Sequence, residues 1–336
     1  MPSSSTNSVD SCNKPAEDSA EAVALVPVNS AVLDLNLKPG VDAYLPSQTN
    51  IVPERVFNRE QKPNEKLIER IEKQGISKVL IASRDQELFN AYLSENWETL
   101  LSKDDVDHEQ RFAILSEVVR SKLDQEFRRC PLQPASLVET SYMLSAEICG
   151  LFSEHSVELD TIKRVLNHDT SLATHSTKVA VLCCVLGKAL RYEGEALHDL
   201  VQGAMLQDVG MNLVPAKHWQ KKSKLQVDDL REIRKHPNLG FELLVEQKLL
   251  SSRSLLMVYQ HHEREDGSGF PVGIDHMELH PFAQIGAIID VFSAMTSRRN
   301  HRLPWSWSEA AETLEEGIST RYNEEVLQCW LQIVEG

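Results

Sequence analysis

Four histidines and two aspartates in the C-terminal half fall where helical periodicity turns them inward. In "SLATHSTKVAVLCCVLGKAL", His175, Val179, Leu182 and Leu186 stand at i, i+4, i+7 and i+11, one buried stripe. In "LHDLVQGAMLQDVG", Leu197, Val201, Ala204 and Asp208 repeat that spacing. In "SLLMVYQHHE", Leu255, Val258, Tyr259 and His262 share one face, with His261 beside them at the helix end. In "PFAQIGAIIDVFSAMT", Asp290 shares its face with Ala283, Gly286, Ala287 and Ala294, small residues that let helices approach closely. His236 precedes Pro237, where the helix should break and expose a ring nitrogen. Any one of these alone is ordinarily a hydrogen-bonded core residue. Gathered on inward faces, they carry a large desolvation penalty unless a cation collects them. Imidazole with carboxylate suits Fe, Mn or Zn rather than Ca. An aspartate that bridges two such ions holds them a few Å apart, where shared water is activated toward phosphorus.

The elements that must position these groups divide the chain. From residue 134 to 336 almost everything has helical period, which predicts an all-α bundle. Residues 26–105 alternate strand-like runs ("AVLDLNL", "KVLIA") with helical ones ("PNEKLIERIEKQG", "ELFNAYLSENWETLL"), a small α/β (α+β) module. Gly75 fits a helix C-cap there. The amphipathic "EQRFAILSEVVRSKLDQEFRR" predicts a linker helix within 106–133, suited to dimerisation or equally to packing on its own chain. Residues 1–25, rich in Ser, Asp, Glu and Ala, predict a disordered tail. The expected fold class is mainly α.

Composition narrows the function classes. The 336 residues are 41% hydrophobic and carry a formal charge of −15, from 50 acidic against 35 basic side chains. That balance argues against DNA and membrane-surface binding. No apolar run reaches membrane-spanning length and the N-terminus lacks a secretory leader, so a cytoplasmic location is expected. Six cysteines are scattered without zinc or disulfide spacing, and Cys183 with Cys184 reads as core.

The order His175, then Gln207-Asp208, then His236-Pro237-Asn238-Leu239-Gly240, then "HHEREDGSGFP" (261–271), then "DVFSAMTSRR" (290–299) resembles the HD-GYP family of HD phosphohydrolases. The resemblance covers roughly residues 140 to 315. It implies a bacterial signal-transduction protein with an all-α HD-type bundle, a metal-dependent phosphodiesterase that opens cyclic di-GMP. It further implies that His175, Asp208 and Asp290 are ligands of a first metal, with Asp208 the bridging and catalytic carboxylate. His236, His261 and His262 match the remaining ligands of the second. Ser171 stands where a three-metal subtype has a glutamate, so two ions are the most to expect. Gly269, Phe270 and Pro271 stand in for Gly-Tyr-Pro, and Arg299 and Arg302 fall where the family has basic residues near the substrate phosphates. For the two arginines, cations at a helix C-terminus are the equal alternative.

Three departures bear on activity. The family's His-Asp doublet is Gln207-Asp208, its lysine three residues beyond the aspartate is Met211, and the second acid of its "DxxDA" element is Ser293. The literal pairs His198-Asp199 and His168-Asp169 lie outside the motif. An amide oxygen is a weaker ligand than imidazole, so Gln207 weakens the first site. Losing the lysine costs on the order of 10²–10³ in rate, by analogy with one lost transition-state donor. The expectation is one ion, Fe or Mn before Zn, with cyclic di-GMP bound but hydrolysed slowly or not at all. An active two-metal phosphodiesterase and a non-catalytic scaffold for protein partners or self-association are the alternatives.

Overall fold

The structure, a computed structural model, describes residues 24–46, 53–103, 106–130, 132–166, 171–221, 223–298, 302–316 and 320–336. Nearly all of the expected tail, the His168-Asp169 pair and Arg299 lie outside them.

The N-terminal part forms β1 (Leu25–Asn29), β2 (Ala43–Leu45), β3 (Glu54–Phe57), α1 (Glu65–Lys73), β4 (Lys78–Ala82) and α2 (Gln86–Leu101). The strands make one antiparallel sheet in the order β1-β4-β2-β3. Alternation in "KVLIA" buries Val79 and Ile81 on one face, and that run is β4. The Asn64 side chain caps α1, and Gly75 beyond its end takes φ +60°. "AVLDLNL" is not a strand. The Asn29 side chain accepts the Ala31 N–H, and Asp34 accepts those of Asn36 and Leu37, so local caps displace a sheet ladder.

Helices follow: α3 (His108–Arg129), α4 (Pro134–Glu154), α5 (Leu159–Val165), α6 (Leu172–Ala189), α7 (Gly194–Leu206), α8 (Ala216–Trp219), α9 (Val227–Ile233), α10 (His236–Leu244), α11 (Ser252–Gln260), α12 (Pro281–Met295), α13 (Trp307–Glu315) and α14 (Glu324–Glu335). The chain is mainly helical with a small antiparallel sheet, as expected. The helix read as a linker is α3, and it is buried on several sides, against β1, α2, α4 and α6. Its Glu117 carboxylate accepts the Asn29 N–H of β1 (3.1 Å) and the Arg120 guanidinium (2.8 Å). Own-chain packing therefore accounts for its apolar pattern. α6 packs on α7 and α12, and α7 on α11, around Leu182, Leu200, Met257, Ile288 and Ile289. These four helices carry most of the inward polar groups. No described helix is long and apolar enough to cross a membrane.

Candidate metal centre

All the inward polar residues but Asp290 reach the centre from the end of an element. Asp208 follows α7 and opens a 3-10 turn, Val209–Leu213, which lies against α10. Gly210 makes that approach feasible, because a Cβ there would collide with the His236 carbonyl oxygen. Pro237 starts α10 rather than breaking it, and the interruption falls before His236, after α9 ends at Ile233. His261 and His262 leave the end of α11, His175 sits in the first turn of α6, and Asp290 lies within α12.

Two groups of donor atoms result, with Asp208 common to both. Asp208, His236, His261 and His262 offer ligand atoms within 4.8 Å of one another, as do His175, Asp208 and Asp290. Asp208 Oδ1 lies 3.2 Å from His236 Nε2 and 3.7 Å from His261 Nε2, while Oδ2 lies 3.3 Å from His175 Nε2. Asp290 Oδ1 is 2.9 Å from His175 Nε2, and its Oδ2 is 3.8 Å from His262 Nδ1.

The three-histidine group fits a cation on its tautomers. His236 Nδ1 meets the Ile233 carbonyl at 2.8 Å, and His261 Nδ1 meets that of Val258 at 3.0 Å. Each ring therefore donates through Nδ1, and its Nε2 points into the space shared with Asp208. Those two nitrogens stand 3.2 Å apart, beside Asp208 Oδ1. Burial opposes a second proton on His236, but Asp208 outweighs it and raises that ring, so the converging atoms are held together by a proton or by a cation among them. Carbonyl-anchored imidazoles are also the arrangement that orients histidine ligands.

The other group satisfies itself. His175 Nε2 is shared by the two carboxylates, and Nδ1 meets Ser293 Oγ at 3.2 Å. Burial alone disfavours the imidazolium, but Asp208 and Asp290 outweigh it and raise His175 to about 9. Burial likewise opposes both carboxylates' charge, and the imidazoles overcome it, holding Asp208 and Asp290 well below the usual range. Burial and neighbouring His261 push His262 far down, which keeps its ring neutral. Gln207 Nε2 donates to Asp290 Oδ1 (3.1 Å), while its Oε1 is buried without a partner among the described residues. Met211, half-buried, brings no charge; its N–H donates to the Asp208 carbonyl.

The Gly-Phe-Pro segment walls the centre. The Phe270 ring stacks on His262 with centroids 4.5 Å apart and planes at 25°. Gly269 presses on the Glu263 backbone so closely that a Cβ would overlap it, and Pro271 leads directly into the turn beyond. The buried Glu263 carboxylate accepts the N–H groups of Val272 (2.7 Å) and Gly273 (3.0 Å). Sequence reading missed Glu263 although it lies inside "HHEREDGSGFP", because a carboxylate capping amides nine and ten residues on has no periodic signal. Arg302 is not aimed at the centre. It donates to the Ala294 and Met295 carbonyls at the end of α12 and lies over Trp305. His198 Nε2 meets Ser145 Oγ and the Tyr142 carbonyl, and Asp199 pairs with Arg253, so that literal His-Asp pair serves helix packing.

Residues 160–326 match the HD domain family. Over 204 residues the chain is 26% identical to the cyclic di-GMP phosphodiesterase PA4108 of Pseudomonas aeruginosa, covering 61% of this chain and 49% of that protein. Over 232 residues it is 25% identical to a cyclic di-GMP phosphodiesterase of Thermotoga maritima, covering 65% and 61% respectively. The chain thus spans about half to three-fifths of the length of these curated relatives. In fold it is similar to Bd1817, a HDG"Y"P protein from Bdellovibrio bacteriovorus, with a TM-score of 0.63 at 18% identity over 93% of this chain and 100% of that one.

Proposed function

The chain belongs to the HD-GYP family of HD-domain proteins, and we propose that within it this is a cyclic di-GMP signalling protein holding one transition-metal ion, with hydrolysis slow or absent. The observation that carries this reading is the asymmetry of the two donor groups. Around His236 and His261, two Nε2 atoms face one another with Asp208 Oδ1 beside them, each ring anchored through Nδ1 to a backbone carbonyl. Around His175, the ring and two carboxylates already satisfy each other, and Gln207 donates where an added ligand would have to accept.

An ion of the Fe or Mn class, when bound, supplies Lewis-acid polarisation of a phosphoryl oxygen and a lowered pKa for water. His236, His261, His262 and Asp208 would hold it. The Ile233 and Val258 carbonyls fix the ring orientations of His236 and His261. Phe270 keeps water from one face of His262, and Glu263 holds the loop that presents Phe270. Asp208 and Asp290 stay ionised, and nothing at Met211 offsets their charge toward an approaching phosphodiester.

Elemental analysis of the purified full chain is expected to find about one Fe, Mn or Zn per chain, by the donor count of a single closed set. Finding none overturns the reading. Incubation with excess Mn and cyclic di-GMP, followed for linear dinucleotide, is expected to give little product. The partnerless Oε1 of Gln207 favours a second reading, in which the amide turns to ligate and both sites fill. Two ions per chain with steady turnover would establish that one.

A further inference from the structure

On the segments that flank His236 and His261 in sequence, most cations are committed. Arg231 pairs with Asp228 (3.5 Å), Lys235 with Glu232 (2.7 Å) and Lys221 with Asp229 (2.6 Å). Arg264 donates to the carbonyls of His261 and Glu263 and lies over Tyr322. Arg234 differs. It ends α9 two residues before His236, is exposed, and has no carboxylate partner among the described residues. Its guanidinium carbon lies 5.3 Å from the centroid of Phe270, the ring stacked on His262. A cation–π contact fixes the guanidinium near the centre while leaving its in-plane N–H donors available. Beyond it runs a groove of 330 Å³ lined by Val227, Leu230, Arg231 and Arg234. Val227 and Leu230 are exposed there, 74% and 43%, although aliphatic.

We propose that Arg234 is the phosphate-binding cation of this centre, supplying a charge that Met211 does not, and that the Val227–Leu230–Arg231 groove receives a purine of the same ligand. The inference rests on the cyclic-dinucleotide reading above. A guanidinium matches two phosphodiester oxygens at once. A flat base packs on the two aliphatic side chains and presents guanine O6 and N7, acceptors that suit Arg231. The Arg231–Asp228 pair is long and solvent-exposed, so exchanging it for a ligand costs little.

The test compares wild type, Arg234→Ala and Arg234→Lys as metal-loaded full chains, titrated with cyclic di-GMP and with dimethyl phosphate, a phosphodiester without a base. Arg234→Ala is expected to bind cyclic di-GMP about ten- to a hundredfold more weakly, as for one lost charge-assisted pair. Its metal content and melting midpoint should match wild type, and Arg234→Lys should recover part of the affinity. Equal affinity in Arg234→Ala overturns the proposal and leaves the dinucleotide reading standing. Metal lost together with affinity makes Arg234 structural and also overturns it. Wild type that ignores cyclic di-GMP yet takes dimethyl phosphate through Arg234 keeps the phosphate cation and overturns both the purine groove and the dinucleotide reading. Binding of neither probe overturns everything.

Discussion

Gln207 lies beside the His175 group, against Asp290, and its two amide atoms behave oppositely. Nε2 donates to Asp290, which strengthens the metal-free arrangement, while Oε1 is buried without a partner among the described residues. Met211, four residues on, brings no charge. The double change Gln207→His with Met211→Lys is expected to raise turnover on cyclic di-GMP by on the order of 10²-fold, the worth of one restored transition-state donor. If metal content rises in that variant while turnover does not, the link drawn between these two residues and turnover fails. His175 sets a pH dependence of opposite sign for fold and metal. Its folded pKa, about 9, lies above the ordinary 6.5, so the stability it gives the metal-free fold is full below about 6.5 and is lost as pH rises through about 9. A metal ligand must be deprotonated, so occupancy of the His175 group should climb between about pH 7 and about pH 9 while the three-histidine group stays filled. Equilibrium dialysis against Mn at several pH values reads this directly; a flat profile would refute it.

The elements meet at the centre through close backbone approaches. The turn carrying Asp208 packs on α10 through Gly210, with the His236 carbonyl occupying the space of a side chain. Gly210→Ala is expected to cost about 1–3 kcal/mol or more, as overpacking against backbone does. It should also lower metal content, because Asp208 and His236 would be forced apart. Urea unfolding with metal analysis on the same samples checks both, and a variant of wild-type stability and metal content would contradict this account. "VGMNLVP" and "HPNLG" are legible as helix boundaries, but that the glycine of one must receive the backbone of the other is not. Similarly, "HHEREDGSGFP" reads as a polar loop, yet the buried Glu263 holding the Val272 and Gly273 amides is a tertiary fact.

At the scale of the whole molecule, α3 belongs to both parts of the chain. Its Glu117 accepts from Asn29 in the sheet and from Arg120 on its own face, all three buried, while α3 also packs on α6, which carries His175. Removing one partner of a buried pair strands a charge, so Arg120→Ala should cost about 3–5 kcal/mol. Unfolding followed by far-UV dichroism and by tryptophan fluorescence should shift together, since Trp97 lies on α2 and Trp330 in the bundle core. Separated transitions would show that α3 does not couple the two parts.

Helical periodicity alone turned His175, Asp208, His262 and Asp290 inward, because burying one stripe of each helix is the main stabilising term and side-chain direction follows from spacing. It likewise predicted the mainly helical class, and β4 and α1 came from alternation and capping. Periodicity placed "AVLDLNL" wrongly, because the caps from Asn29 and Asp34 outcompete a ladder there. It left α3 open between a linker and a core helix, since an amphipathic face does not name what covers it. Only the tertiary structure decided that Asp208 faces both donor groups, that Arg302 is spent on carbonyls and that Arg234 leans on Phe270. Those outcomes depend on distances between residues far apart in the chain, which the order of residues along one helix does not contain.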